Sequence, residues 1–436
     1  MRRFSRSSSL LGCLLLAIHL GAGADDNVRT LTTTLADDAA WIAEVPEKWN
    51  GTLLLYSRGY AFKLGPPQSA GRGTREQLLE NGYALTASAY PEAGWSVETA
   101  VPSQLLALEE FIREVGEPNQ TIAWGSSMGG LITSALAERH GHRFDGALPM
   151  CASSMGALPM LNMAFDGAYV LTTLLPSDPP LAITGVGDNT ERTAAFVEQV
   201  EQQFVAPAVQ ARVALAGVLG GLPGWTVADN RPPANDYAAQ AHEMLALLRM
   251  GLFLPRGDQE HRAGGVFSSN TDIDYRQLLD DSGRREIVDA LYERAGLNLE
   301  QDLERLNMAP RTAADAKAVD YMAANYTTTG KTTIPVLSIH TIGDGMTSPA
   351  LQASYVKKVK AISGETMAAA LWIDRAGHCT QSADEVLLAI RTLQERLAHG
   401  QWQTDIEHLN KLSDSHDVRF TDYDSWLVPR EAKRWK

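Results

Sequence analysis

Cysteine is scarce in this chain. Of three in 436 residues, Cys13 lies in an apolar N-terminal segment, which leaves Cys151 and Cys379. Two thiols are consistent with one disulfide in an oxidising compartment or with two separate buried side chains. Long apolar runs are scarce too. Beyond residue 24 nothing approaches the ~18 uninterrupted apolar residues of a membrane span, so no span is expected. Positive charge is in deficit, with 38 Lys and Arg against 52 Asp and Glu and a net charge of −14. That balance argues against nucleic acid as a partner, whose phosphates need a cationic face. Metal-ligand clusters are also missing. Asn270, Asp272 and Asp274 are spaced like the start of a calcium loop, but the glycine and terminal glutamate of an EF-hand do not follow. No metal or cofactor is expected.

The N-terminus carries the marks of an export signal. Arg2, Arg3 and Arg6 precede an apolar stretch from Leu10 to Leu20, and Ala22-Gly23-Ala24 forms a cleavage site. Residues 1–24 are expected to be removed after Ala24, leaving a secreted or periplasmic protein. The remaining chain, 44% hydrophobic and 21% charged overall, has an ordinary globular composition and length enough for a full core plus a large insertion.

Strand patterns run over Val28–Leu35, Ala40–Val45 and Thr52–Ser57. The Asn50-Gly51 pair between the last two predicts a hairpin. Thr74–Asn81 reads as a helix, Tyr83–Ala89 as a strand, and Pro102–Val115 as an amphipathic helix. Thr121–Trp124 and Gly146–Cys151 are short apolar strands flanking a helix at Met128–His140. Alternating strands and helices imply a mostly parallel sheet, of α/β class. From 152 to 333 the alternation stops and helix-period segments dominate, among them Glu191–Phe204, Asp236–Met250, Arg284–Ala295 and Thr312–Asn325. Alternation resumes with strands at Ile334–His340 and Ala368–Ile373 and helices at Pro349–Val359 and Ser382–Leu397. Residues 25–151 and 334–436 are therefore expected to form the core, with 400–436 as a C-terminal extension and 152–333 as a helical cap.

Ser127 lies in Gly125-Ser126-Ser127-Met128-Gly129, a G-x-S-x-G frame between strand and helix. The glycines let the chain turn sharply and hold one hydroxyl clear of the backbone. A serine hydroxyl needs a base to remove its proton, and that base needs a carboxylate to orient it. Two loops supply them: Asp344 follows the strand at 334–340 in Gly343-Asp344-Gly345, and His378 follows the strand at 368–373 in Gly377-His378-Cys379. His340 at a strand end reads as a pocket histidine. Met150, Met155, Met160 and Met163 suit either core packing or an adaptable apolar pocket.

In these elements and in the order Ser, Asp, His the chain resembles the α/β-hydrolase superfamily over 28–151 and 334–397. The resemblance implies a central, mostly parallel sheet with flanking helices and the cap inserted between the nucleophile and acid strands. It also implies an oxyanion hole from the backbone N–H groups of Met128 and Tyr60. Arg58 stands where many members have histidine, and it is either a substrate contact or a structural ion-pair partner. Cys379 directly after His378, together with the large lid, is similar to the tannase and feruloyl-esterase pattern. There a cysteine before the serine bridges to the one after the histidine. Ser126 occupies that first position here, so the resemblance implies Cys151, on the neighbouring strand, as the partner of Cys379. The expected function is an exported serine hydrolase acting on a small or polymeric carboxylic ester. A secreted peptidase with the same triad and a non-catalytic binding protein on this fold are the alternatives.

Overall fold

The computed structural model describes residues 27–71, 73–413, 417–425 and 429–430. The predicted export signal lies outside the described residues, as do Trp426 and Trp435 of the C-terminal extension. Among the described residues the strands are β1 (Val28–Thr34), β2 (Ala40–Pro46), β3 (Thr52–Ser57), β4 (Ala84–Ser88), β5 (Gln120–Ser126), β6 (Gly146–Met150), β7 (Val336–Gly343), β8 (Ala368–Ala376) and β9 (Phe420–Thr421). They form one sheet in the order β1-β2-β4-β3-β5-β6-β7-β8-β9. β4, β3, β5, β6, β7 and β8 run parallel, while β1, β2 and β9 pair antiparallel at the edges.

Helices cover both faces of this sheet, and the period of two along each strand divides its side chains between them. Leu53, Leu55 and Ala123 face α2 (Val97–Val115), α3 (Met128–Arg139) and α13 (Pro349–Ser363). Leu54, Tyr56, Ile122 and Trp124 face α1 (Arg75–Glu80) and α14 (Ala383–His399).

Two local expectations are corrected. Asn50-Gly51 does not make a hairpin, because β4 lies between β2 and β3. Asn50 instead starts β3, its Oδ1 accepting from Thr52 N at 2.8 Å while its Nδ2 donates to the Asn81 carbonyl at 3.1 Å. β3 is buried on both faces and so takes a central place that a local turn pattern does not encode. The hairpin is β1–β2, turning at Asp38 with φ 66°. In addition, α2 begins five residues before Pro102, which sits in its second turn and forgoes one intrahelical bond.

Between β6 and β7 come α4 (Ala157–Leu174), α5 (Thr190–Gln203), α6 (Pro207–Leu219), α7 (Tyr237–Ala246), α8 (Gly257–Ala263), α9 (Tyr275–Asp280), α10 (Arg285–Ala295), α11 (Leu299–Met308) and α12 (Ala316–Tyr326). α7 leads into one π-helical turn at Leu248–Leu252. α4 is apolar on every side and buried, which erases the one-sided periodicity of a surface helix. Its first half, with Leu158, Met160, Leu161 and Met163, packs into the core that α2 and α3 share. Its second half packs with α6 and α10 into a separate cluster. Met155, Met160 and Met163 are thus core residues. No helix among the described residues is long and apolar enough to cross a membrane.

Beyond β8, the chain to α14 is pinned by a buried ion pair. Glu385, fully buried at the third position of α14, receives Arg375 Nη1 at 2.8 Å, Ser382 N at 2.7 Å and Arg419 N at 3.0 Å. Arg375 Nη1 also donates to the Thr380 carbonyl at 2.7 Å, two residues past His378. Replacing Glu385 by Ala removes the counter-charge of a buried guanidinium and the acceptor of two backbone N–H groups. Urea unfolding of Glu385→Ala is expected to show a loss of about 3–5 kcal/mol, and a loss below about 1 kcal/mol would contradict this account.

Candidate active site

The carboxyl ends of β5, β7 and β8 converge on one point. Ser127 sits between β5 and α3 with φ 59° and ψ −125°, a conformation few non-glycine residues adopt. Its N–H is donated to the Met150 carbonyl at 3.0 Å, tying the turn to β6. The flanking glycines are needed for backbone approach. A Cβ at Gly129 would lie 1.9 Å from the Ser57 carbonyl oxygen, and one at Gly125 would lie 2.6 Å from that oxygen and from the Gly129 carbonyl.

His378 Nε2 lies 2.8 Å from Ser127 Oγ, and His378 Nδ1 lies 2.8 Å from Asp344 Oδ2. One backbone bond and one side-chain bond hold the Asp344 and His378 loops together: Gly377 N donates to Gly343 O at 3.0 Å, and the Thr341 hydroxyl to Gly377 O at 2.8 Å. Asp344 is fully buried, and its Oδ1 accepts from Met346 N at 2.9 Å and Thr347 N at 3.0 Å. Burial pushes this carboxyl up, but the His378 and His340 rings beside it outweigh that and hold it well below the ordinary carboxylate range. His378 is pulled down by burial and raised by the Asp344 charge and hydrogen bond, with a net rise above ordinary imidazole.

The Cys151–Cys379 disulfide is present, joining the end of β6 to the residue after His378. Gly59 lies against the serine, since a Cβ there would be 3.3 Å from Ser127 Cβ. Tyr60, next along, packs edge-on against Phe62 at 5.0 Å and near Trp95 at 5.9 Å. Met128 is the first residue of α3, where N–H groups lack intrahelical acceptors. Met128 thus follows Ser127 directly, and Tyr60 follows Gly59, the residue packed against that serine.

Arg58 gives its hydrogens to the protein backbone. Nε and Nη2 donate to Ala89 O at 3.3 and 2.9 Å and Nη1 to Gly59 O at 3.0 Å, with the guanidinium 4.5 Å from the Tyr90 ring centre. It braces the loops after β3 and β4. Asp374 pairs with Arg231 at 3.1 Å, away from His378. Asn270 is held by Tyr275 and Thr312, and Asp274 caps α9. His340, read from the sequence as a pocket histidine, and Thr347, with no role expected from the sequence, both touch Asp344. The spacing of Thr347, three residues past an aspartate, suits a local side-chain turn but is too common to single out.

A cleft of about 770 Å³ opens beside the site. Ser126, His378 and Cys379 line one wall; Glu44, Ser69 and Arg75 line another. Glu44, buried on β2, takes Arg75 Nε at 2.8 Å and the Ser69 hydroxyl, so the cleft is largely polar.

The strand order, the strained serine turn and the placement of Asp344 and His378 after two later neighbouring strands decide the architecture. The chain has the α/β-hydrolase fold. Residues 24–210 of this hydrolase-fold chain match a tannase-like family of unknown function (DUF6351). An o-phthalyl amidase from Xanthobacter agilis is 28% identical over 440 residues, spanning 92% of this chain and 96% of the relative. Among solved structures, feruloyl esterase B from Aspergillus oryzae matches with a TM-score of 0.39 at 16% identity, over 86% of this chain and 80% of that one. The acylaminoacyl peptidase of Pyrococcus horikoshii matches with a TM-score of 0.40 at 11% identity, over 88% of this chain and 44% of its own.

The close approach at Gly129 gives a direct test. Gly129→Ala forces β3 and α3 apart and is expected to destabilise the protein by about 3 kcal/mol or more. An unchanged thermal unfolding midpoint would contradict it.

Proposed function

We propose that the chain is a serine hydrolase that cleaves carboxylic esters through Ser127, His378 and Asp344. The observation that carries this reading is the unbroken chain of contacts, 2.8 Å from Ser127 Oγ to His378 Nε2 and 2.8 Å from His378 Nδ1 to Asp344 Oδ2. In the proposed reaction Ser127 Oγ attacks the substrate carbonyl carbon as its proton passes to His378 Nε2. The oxyanion then rests against the Met128 and Tyr60 N–H groups. His378 gives the proton to the leaving oxygen, and the alcohol departs. Water, deprotonated by the same ring, then attacks the acyl carbon and returns Ser127 with a carboxylic acid. Asp344 stays an anion throughout and balances the imidazolium.

The helical insertion between β6 and β7 is the part of the chain proposed to select the substrate. A second reading, amide cleavage by the same groups, is favoured by the amidase relative, which aligns over 92% of this chain. Release from the cell is supported by the disulfide, a bond that persists in oxidising compartments.

Parallel turnover of p-nitrophenyl esters and of acyl anilides separates the ester and amide readings. With either substrate, Ser127→Ala is expected to lower kcat by about 10³-fold or more and to abolish labelling by a fluorophosphonate. Retained turnover in that variant would overturn the assignment. The pH profile carries a second expectation. The reaction needs neutral His378, whose pKa is raised, so kcat/KM should fall on the acid side with a midpoint above 6.5, the ordinary imidazole value. A midpoint below that value would count against His378 as the base.

A further inference from the structure

His340 is out of place as a packing residue. It lies on β7, its side chain fully buried, at a position where a strand covered on both faces suits an aliphatic residue. Its Nε2 has the Thr347 carbonyl oxygen at 2.8 Å and Asp344 Oδ2 at 3.3 Å. Both neighbours are acceptors, so this nitrogen carries a hydrogen. Its Nδ1 has no partner among the described atoms. A buried ring nitrogen left unsatisfied lowers stability, and such local losses occur where a side chain is kept for what it does.

We propose that His340 is a positioning residue for the reaction: together with Thr347 it holds the Asp344 carboxylate ionised and aimed at His378. The inference rests on the serine-hydrolase reading above. The turn from Asp344 to Thr347 is clamped at each polar atom of Thr347. Its N–H donates to Asp344 Oδ1 at 3.0 Å, and its carbonyl accepts from His340. Its hydroxyl lies 2.9 Å from both Asp344 Oδ2 and the Cys151 carbonyl. His340 thereby fixes the turn that fixes the carboxylate. That N–H is directed to the Thr347 carbonyl, but the ring nitrogen carrying it lies 3.3 Å from Oδ2, and this positive dipole beside the carboxylate lowers the proton affinity of Asp344. The proton taken from Ser127 then stays on His378 instead of passing to the acid.

Few other charges act at this point. Among the described residues, the titratable groups acting on Asp344 are His378, from the loop after β8, and His340, from its own strand. From β6 comes the Cys151 carbonyl. From the chain between β6 and β7, Trp225 lies over Gly343, and Leu247 and Gly251 lie over Gly345.

The test compares His340→Phe, which keeps the ring and loses the donor, with His340→Gln, which keeps an N–H donor. Each is assayed for kcat and KM on a p-nitrophenyl ester, and the pKa of His378 is measured by NMR titration. His340→Phe is expected to lower kcat by about tenfold at unchanged KM and to shift the His378 pKa upward. His340→Gln should restore most of both. A purely structural role would lower activity without moving that pKa, so an unchanged His378 pKa in His340→Phe overturns the proposal. If the Phe variant does not fold, the ¹⁵N shifts of His340 in the unmodified protein decide: a proton on Nε2 is expected, and one on Nδ1 alone overturns it. These NMR readouts need no turnover, so their failure is separable from failure of the Ser127 assignment.

Discussion

A carboxylate with no access to water is the constraint around which the candidate site is arranged. Asp344 is fully buried, and an isolated charge in that position would simply take up a proton. It remains ionised because each oxygen is met by donors: two backbone N–H groups on one, and the His378 ring, the Thr347 hydroxyl and the nearby His340 ring on the other. Those donors come from three pieces of chain, namely the end of β7, the turn after it and the loop after β8. The ion therefore organises the loops as much as the loops organise the ion. The His loop in turn depends on the buried Arg375–Glu385 pair and on the disulfide to β6.

The sheet supplies the second half of the arrangement. Its parallel strands all end at one edge, so residues far apart in sequence meet there without a long loop having to find them. The serine turn is the tightest point, because α3 starts almost against the end of β3. That contact brings Gly59 beside Ser127.

Much of this was legible in the sequence, for physical reasons. Ser127, Asp344 and His378 each follow a strand in a glycine-marked turn, and the glycines announce backbone geometry that other residues resist. What stayed hidden was whatever tertiary contact decides. Asn50-Gly51 carries a local hairpin signal, yet the two-sided burial of β3 placed β4 between the strands it joins. α4 lacks an amphipathic stripe because it is covered on all sides. Arg58 has the chemistry to bind a carboxylate, but its neighbours in space are carbonyls. His340 and Thr347 are ordinary residue types at ordinary spacings, and only the fold reveals that both touch the acid.

The Cys151–Cys379 bridge spans 228 positions and encloses the whole helical insertion. The chain leaves the sheet just before one cysteine and has passed through it twice more before the other. A single hydrolytic nick anywhere in the insertion thus leaves the two halves of the molecule covalently joined beside Ser127 and His378. The same bond frees the insertion from acting as the sole link between them. The sheet edge that bears the three side chains is thereby held as one connected body from both sides of that segment.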